Sequence, residues 1–201
     1  MRTIYNTPVV THLLRLVAKL GLRLTGWKLE SPGDIKPPMV LIGAPHTSNW
    51  DCLLLVVLAL ELRVTVCWLG KHTLFRWPLG GFMRWVGGIP VNRTERSNQV
   101  ERTAQFLRDH PDILLCVTPE GTRRKVERWK SGFYYISYLS GAPMLLTAID
   151  ADARYVRMPG TFVPTGDAER EIPAIQQLYR GYTGIVRENT FELPEERTLP
   201  E

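Results

Sequence analysis

Short apolar runs alternate with helix-forming segments along the chain, and this alternation limits the possible folds more than any other feature of the sequence. The clearest runs are Met39 to Gly43, Val64 to Leu69, Ile113 to Val117 and Met144 to Ile149. Buried strands separated by helices usually form a parallel sheet, because the chain crosses over through each helix before it adds the next strand. The sequence therefore predicts an α/β fold with a mostly parallel central sheet flanked by helices.

The segments between and after these runs have helical periodicity. Helices are predicted at Leu53 to Leu62, Ser97 to His110, Phe133 to Ser140 and Ile172 to Tyr182. Short strands are predicted around Tyr155 and Phe162, whereas the many glycines and prolines between Gly70 and Pro90 predict a long, partly irregular connection. Nothing repeats and no shift in composition marks a second domain, so the 201 residues are expected to form a single domain.

An amphipathic helix is predicted near the amino terminus, from Pro8 to Thr25. Its apolar residues recur at steps of three and four, and its cations are Arg15, Lys19, Arg23 and, just beyond the helix, Lys28. One interpretation is a helix that lies on an anionic membrane surface, where burial of the apolar face and attraction of the cations to lipid headgroups add. The alternative is a first helix whose apolar face packs against the core of the domain.

The charge balance indicates a polyanionic partner. Lys and Arg number 25 against 20 for Asp and Glu, giving a net charge of +5, which favours lipid headgroups, nucleic acid or phosphorylated metabolites. Nucleic acid is not expected, because the sequence has no helix-turn-helix, zinc-finger or RNA-binding signature. Cys52, Cys67 and Cys116 each lie in an apolar run and are expected to be buried thiols. Neither they nor the histidines have the spacing of metal ligands, so neither a metal nor a cofactor is expected.

The segment from Pro45 to Asp51 leaves the first predicted strand and enters a helix. On a continuous helix His46 and Asp51 would lie about 140° apart, so the chain must turn between them if their side chains are to meet. Ser48 and Asp51 have the spacing of a capping box, which would start the helix at Ser48 and leave His46 in the loop before it. Asp51 would then fix the imidazole tautomer and leave the other ring nitrogen as a general base. The alternative is that Asp51 only caps the helix and His46 is an ordinary loop histidine.

A second polar segment, Thr118 to Lys125, follows the third apolar run. It places Glu120 beside Arg123 and two further cations, at a strand end of the kind where parallel sheets bind ligands. A carboxylate next to cations suits a ligand with hydroxyl and phosphate groups. Lys71 and Arg93 flank the glycine-rich connection and are further candidates for phosphate contacts. The alternative is a Pro-x-Gly turn whose charges are solvated.

Four blocks lie in order along the chain: His46 to Asp51, Gly70 to Phe75 with Gly88 to Arg93, Pro119 to Arg123, and Gly141 to Pro143. In order and spacing they resemble the motif blocks of the glycerolipid acyltransferase family, typified by the 1-acylglycerol-3-phosphate acyltransferases. The agreement extends from about Trp27 to Thr165. Pro45 stands where the family usually has Asn, and Leu146 stands where it often has a second Pro, so the resemblance does not fix the acceptor.

The resemblance implies an enzyme that transfers a fatty acyl group from acyl-CoA or acyl-carrier protein to a hydroxyl of a lysophospholipid or related glycerolipid acceptor. It implies that His46 is the general base, oriented by Asp51. The acceptor contacts that it implies come from Arg93, Glu120, Gly121 and Arg123, and the set of candidates is completed by Thr122 and Lys71.

The expected organisation is an amphipathic membrane-surface helix at 1–28, an acyltransferase domain at 29–190 and a tail at 191–201. We expect the protein to be held peripherally on the cytoplasmic face of a membrane, with no cofactor besides the acyl donor. The alternative is a membrane-surface lipid-binding protein without catalytic activity.

Overall fold

The computed structural model describes residues 1–30, 35–91 and 98–193, which form a seven-stranded sheet with helices on both faces. The strands are β1 (Lys28–Leu29), β2 (Met39–Ala44), β3 (Thr65–Lys71), β4 (Gly88–Val91), β5 (Ile113–Val117), β6 (Met144–Asp150) and β7 (Tyr155–Phe162). The α-helices are α1 (Val10–Thr25), α2 (Trp50–Leu62), α3 (Gly80–Trp85), α4 (Gln99–Asp109), α5 (Gly132–Ser140) and α6 (Ala168–Gln177). Short 3-10 helices lie at His72–Phe75 and Arg187–Asn189.

The strand order across the sheet is β1-β7-β6-β2-β5-β3-β4. The five strands from β6 to β4 are parallel, whereas β7 is antiparallel to β6 and β1 is parallel to β7. The predicted α/β fold with a mostly parallel sheet is therefore confirmed. β2 is central, and its carboxyl end lies beside that of β5, since Ile42 pairs with Val117. The loops that follow these two strands are thus neighbours at the edge where such sheets bind ligands.

Both faces of the sheet are covered, which explains why its strands are continuous apolar runs rather than alternating ones. On one face Val40 and Ile42 of β2 cluster with side chains of α4, α5 and α6. On the other face Met39 and Leu41 cluster with side chains of α2. Packing on both faces of the sheet therefore fixes β2 and the start of the loop that follows it.

The connection between Gly70 and Pro90 is more regular than its composition predicts. It contains a 3-10 helix, α3 and most of β4. Gly70 and Gly88 lie within strands, and a Cβ at either position would come within 2.9 or 2.8 Å of the Phe75 ring. These glycines make room for a buried aromatic ring. Composition alone does not distinguish a glycine in this packing role from a glycine in a loop.

Three other elements differ from the prediction. The strands predicted around Tyr155 and Phe162 are a single strand, β7, which passes through Pro159 and pairs with β6 across a register shift. The last helix begins earlier than predicted, because Asp167 caps it by accepting a hydrogen bond from Arg170 N at 3.2 Å. β1 was not predicted, since two residues are too few to form a sequence pattern.

α1 is amphipathic as predicted, and its apolar face is exposed. Its exposed apolar side chains are 57 to 78% accessible and comprise Leu13, Leu16, Val17, Leu20 and Leu24. The opposite side faces the domain, because Ala18 is buried and Arg15 Nε donates to Leu60 O of α2 at 2.7 Å. The alternative in which the apolar face packs on the core is therefore wrong. Within the described ranges, the helices all fall short of the length and apolarity needed to cross a bilayer.

Candidate active site

The loop from Pro45 to Asn49 carries the chain from β2 into α2. The helix begins at Trp50, two residues after the predicted start at Ser48. Asp51 Oδ2 accepts hydrogen bonds from Thr47 N at 2.8 Å and from Ser48 N at 2.9 Å. Ser48 Oγ accepts from Trp50 N at 3.2 Å instead of from Asp51 N. Half of the predicted capping box is therefore formed, and it folds the loop back over the start of the helix.

The imidazole of His46 lies against the same carboxylate. His46 Nδ1 is 3.0 Å from Asp51 Oδ2. With an ionised carboxylate, which can only accept, and a neutral imidazole, Nδ1 is the donor and Nε2 holds the lone pair. Among the described residues Nε2 has no hydrogen-bond partner. Asp51 is buried and His46 is partly exposed, so the carboxylate is shielded from water while the ring still reaches the surface.

Glu120 joins the loop after β5 to the loop after β2. Its Oε1 accepts a hydrogen bond from His46 N at 3.1 Å, and the residue is only 3% exposed. Its Oε2 is buried without a hydrogen-bond partner in the described part of the chain. Burial raises the pKa of Glu120 to about 7, although the hydrogen bond from His46 N acts in the opposite direction. The carboxyl that accepts from the backbone of the candidate base therefore titrates near neutral pH.

Glu120→Gln is expected to flatten the pH dependence of folding stability. The folded pKa of Glu120 lies above its ordinary value of 4.5, so the folded state favours the protonated form. The free energy of unfolding is therefore highest below that ordinary value and falls as the pH rises through about 7. At about 1.4 kcal/mol per unit of pKa, the loss between about pH 5 and pH 8 is roughly 2 to 3 kcal/mol.

Urea unfolding of both proteins at these two pH values measures the effect. Glutamine cannot ionise, and its amide oxygen can still accept from His46 N. The wild type is expected to lose more stability than the variant on going to the higher pH. An equal loss in the two proteins would contradict a buried carboxyl that titrates near neutral pH.

The residues after Glu120 form a turn lined by cations. Gly121 has φ +63, and a Cβ there would lie 2.7 Å from Lys130 Nζ. Thr122 Oγ1 accepts from Arg124 N at 3.3 Å, so this side chain stabilises the turn. The sequence did not single out Lys130, because it lies outside the motif block and only the folded turn brings it to Gly121.

Arg123 reaches towards the start of α2. Its Nη2 lies 4.0 Å from the Sγ of Cys52, the residue after Asp51. Cys52 is exposed, so the prediction of a buried thiol is wrong for this residue, although Cys67 and Cys116 are buried. Lys71 is exposed at the end of β3, at the same sheet edge but separated from β2 by β5. The fold therefore brings His46, Asp51, Glu120 and Arg123 together and leaves Lys71 at the margin.

The remaining predicted contact, Arg93, lies outside the described residues. In the ranges that the structure describes, no three His, Cys, Asp or Glu side chains are arranged to hold a metal ion.

Thr47 is a buried residue of this loop that the sequence did not indicate. It is 3% exposed, and its Oγ1 accepts a hydrogen bond from Val186 N at 3.0 Å. The two residues are 139 positions apart, so no local pattern reveals the contact.

In fold, the chain is similar to the crystal structure of the 1-acyl-sn-glycerophosphate (LPA) acyltransferase PlsC from Thermotoga maritima, with a TM-score of 0.61. The two share 19% sequence identity, and the match covers 84% of this chain and 76% of that one. No curated protein matches the chain.

A family model described as Acyltransferase matches residues 28–149. The matched region is more than half of the chain and contains both the loop of His46 and Asp51 and the turn that begins at Glu120. This match confirms the family resemblance recognised in the sequence. The chain therefore belongs to the acyltransferase family.

Proposed function

We propose that the protein transfers a fatty acyl group from a thioester donor, acyl-CoA or acyl-carrier protein, to a hydroxyl of a lysophospholipid or related glycerolipid. The observation that carries the proposal is the 3.0 Å contact between His46 Nδ1 and Asp51 Oδ2. The contact lies at the ligand-binding edge of an acyltransferase sheet, and it leaves Nε2 available to remove a proton from an acceptor hydroxyl.

In the proposed reaction, His46 Nε2 takes the hydroxyl proton while the acceptor oxygen attacks the carbonyl carbon of the thioester. The tetrahedral intermediate then collapses, the carbon–sulfur bond breaks, and the imidazolium returns its proton to the leaving thiolate. The products are an ester and a free thiol. Asp51 stabilises the transient imidazolium through Nδ1 and keeps the ring in one orientation throughout.

The cations at the rim of the site are the proposed anchors for the acceptor phosphate. Arg123 is the nearest to the dyad, and its guanidinium can bind a phosphate through two parallel hydrogen bonds. Lys130, beside Gly121, and Lys71, at the end of β3, extend the positive charge along the same edge. Glu120 Oε2 is the proposed partner for a second hydroxyl of the acceptor, because it is buried without one.

A two-substrate assay tests the proposal. Purified protein is mixed with acyl-CoA or acyl-carrier protein and with lysolipids of different headgroups, and free thiol and esterified lipid are measured together. We expect equal amounts of thiol and ester, and neither without acceptor. Donor hydrolysis to free fatty acid alone would indicate a thioesterase. Vesicle binding without turnover of any donor and acceptor pair would favour the non-catalytic lipid-binding protein.

The proposed place of action is an anionic membrane surface at the cytoplasmic face, with the protein held there peripherally. Support comes from α1, whose exposed apolar face is accompanied by Lys19 and Arg23. The segment before α1 is tied to α3, since Trp85 Nε1 donates to Thr7 Oγ1 at 3.2 Å. Trp77, shortly before α3, and Phe82, within α3, are also exposed. Apolar side chains combined with cations suit the boundary between headgroups and acyl chains.

The double variant Leu16→Glu/Leu20→Glu is expected to weaken binding to anionic vesicles by at least about tenfold. Each leucine removed from the interface loses up to about 2 kcal/mol of burial, and each new carboxylate is repelled by the lipid charge. Co-sedimentation with vesicles that contain anionic lipid measures the effect. The matched control is Val163→Glu/Leu178→Glu, which changes two other exposed apolar residues. Equal weakening by the two double variants would contradict a membrane contact specific to α1.

A further inference from the structure

We infer that residues 183–192 form a strap that positions the loop of His46 through the side chain of Thr47. The inference rests on the proposed function, because it assigns these residues a part in aligning the proposed base. The strap lies beyond residue 149, where the family model ends. It therefore adds a positioning element that the matched motif blocks do not include.

The contact between the strap and the loop is close and partly buried. Val186 N donates to Thr47 Oγ1 at 3.0 Å. A Cβ on Gly184 would come 2.4 Å from Thr47 Cγ2 and 2.6 Å from Thr47 Oγ1. Only glycine therefore fits at position 184, because any side chain there would displace Thr47. The Thr47 hydroxyl accepts the hydrogen bond from Val186 N, and the Thr47 methyl group packs against Gly184.

The strap is folded on itself, which gives it a defined shape. Gly184 N donates to Thr190 Oγ1 at 3.0 Å, and Thr190 is buried. The 3-10 helix at Arg187–Asn189 lies between these two residues. The hydrogen bond closes this short segment into a loop, so Gly184 and Val186 are presented to Thr47 together.

The strap is also anchored at both ends. At its start, Ala151 N donates to Thr183 O at 2.8 Å, and within it Arg187 pairs with Asp152. Near its end the Phe191 ring packs 5.6 Å from the ring of Trp129. The anchors are thus the turn after β6 and the segment that follows Glu120.

A solvent-exposed ion pair reaches the expected tail: Glu192 Oε2 lies 2.8 Å from Lys125 Nζ. Residues 191 and 192 therefore contact the same segment that carries the candidate acceptor contacts.

The strap acts on the dyad through the backbone of Thr47. Thr47 N is one of the two backbone donors to Asp51 Oδ2, the same oxygen that contacts His46 Nδ1. Movement of Thr47 therefore moves or weakens the hydrogen bonds that aim the carboxylate at the imidazole. Misplacement of a reacting group by about 1 Å can cost roughly a hundredfold in rate. Thr47 is accordingly a positioning residue, since the hydrogen bond of its side chain is made with Val186 N of the strap.

Two substitutions of Thr47 test the inference. Thr47→Val removes the hydroxyl and keeps the shape, whereas Thr47→Ser keeps the hydroxyl. We expect Thr47→Val to lower kcat by roughly tenfold or more, with KM within about twofold of the wild type. Thr47→Ser is expected to retain most of the wild-type kcat. A purely structural role predicts a lower Tm in Thr47→Val with kcat unchanged well below that Tm, and this result would overturn the inference.

Substitution of Gly184 gives a second route if Thr47→Val does not fold. Gly184→Ala is expected to lower kcat to a similar degree, because its methyl group displaces Thr47. The matched control is Gly132→Ala, where an added Cβ would meet nothing closer than Val100 Cγ2 at 3.9 Å. Full kcat in Gly184→Ala would overturn the inference.

Amide hydrogen exchange provides a readout that does not depend on turnover. Residues 46–51 are expected to exchange faster in Thr47→Val and in Gly184→Ala than in Thr47→Ser and in the wild type. If the wild type transfers no acyl group, the proposed function fails while the exchange data still decide whether the strap orders the loop. Unchanged exchange in both disruptive variants would refute the strap whatever the activity.

Discussion

His46→Ala is expected to abolish nearly all acyl transfer, with a fall in kcat of about a thousandfold. General-base catalysis by a positioned side chain contributes roughly 10²- to 10⁴-fold, and alanine leaves no group that can take the acceptor proton. His46 is the histidine whose Nδ1 is held by a buried carboxylate, 3.0 Å away. The rate of thiol release with donor and acceptor at saturation measures the loss.

His110→Ala is the matched control for this variant. His110 precedes β5 and therefore lies at the opposite edge of the sheet from the site. Its ring stacks on Phe106 at a centroid distance of 4.1 Å, and Nδ1 lies 2.8 Å from Phe106 O. We expect this variant to keep the wild-type kcat. If His46→Ala retains more than about a tenth of the wild-type rate, the imidazole is not the base.

Asp51→Asn is expected to lower kcat by roughly 10²- to 10⁴-fold, with a small change in KM. Asparagine has nearly the same size, and its amide oxygen can still accept from Thr47 N and Ser48 N. The variant loses the negative charge that stabilises the imidazolium while the proton is in transit. Its amide group can also donate to Nδ1 and so stabilise the wrong tautomer.

Asp167→Asn separates this role from helix capping. Asp167 caps α6 through Arg170 N at 3.2 Å, and asparagine caps helices about as well as aspartate does. If Asp51 served only as a cap, Asp51→Asn would be as harmless as Asp167→Asn. A wild-type kcat in both variants would therefore return His46 to the status of an ordinary loop histidine. We expect the two variants to differ by at least about a hundredfold in kcat.

The side-chain contact that was predicted correctly is one encoded within a few residues. His46 and Asp51 are five positions apart, so the requirement for a turn between them follows from helix geometry alone. The hydrogen bond from His46 N to Glu120 spans 74 positions, and that between Thr47 and Val186 spans 139. Contacts of this kind depend on strand order and register, which no local pattern specifies.

The same distinction holds for the fold. β2, β3, β5 and β6 were predicted because their side chains are buried on both faces and leave unbroken apolar runs. β4 was hidden by Gly88 and Pro90, which have turn-like composition although both pair with β3. The orientation of α1 was also beyond prediction, because an amphipathic pattern is the same whether its apolar face meets a protein core or a bilayer.

The hydrogen bonds that shape the loop of His46 are donated by backbone N–H groups: His46 N to Glu120, and Thr47 N and Ser48 N to Asp51. Truncation of the imidazole removes none of them. His46→Ala is therefore suited to serve as a substrate trap, in which donor and acceptor dock side by side and the reaction stops. A crystal of that ternary complex would test whether the proposed lipid acceptor contacts Arg123 and where the proposed thioester donor binds.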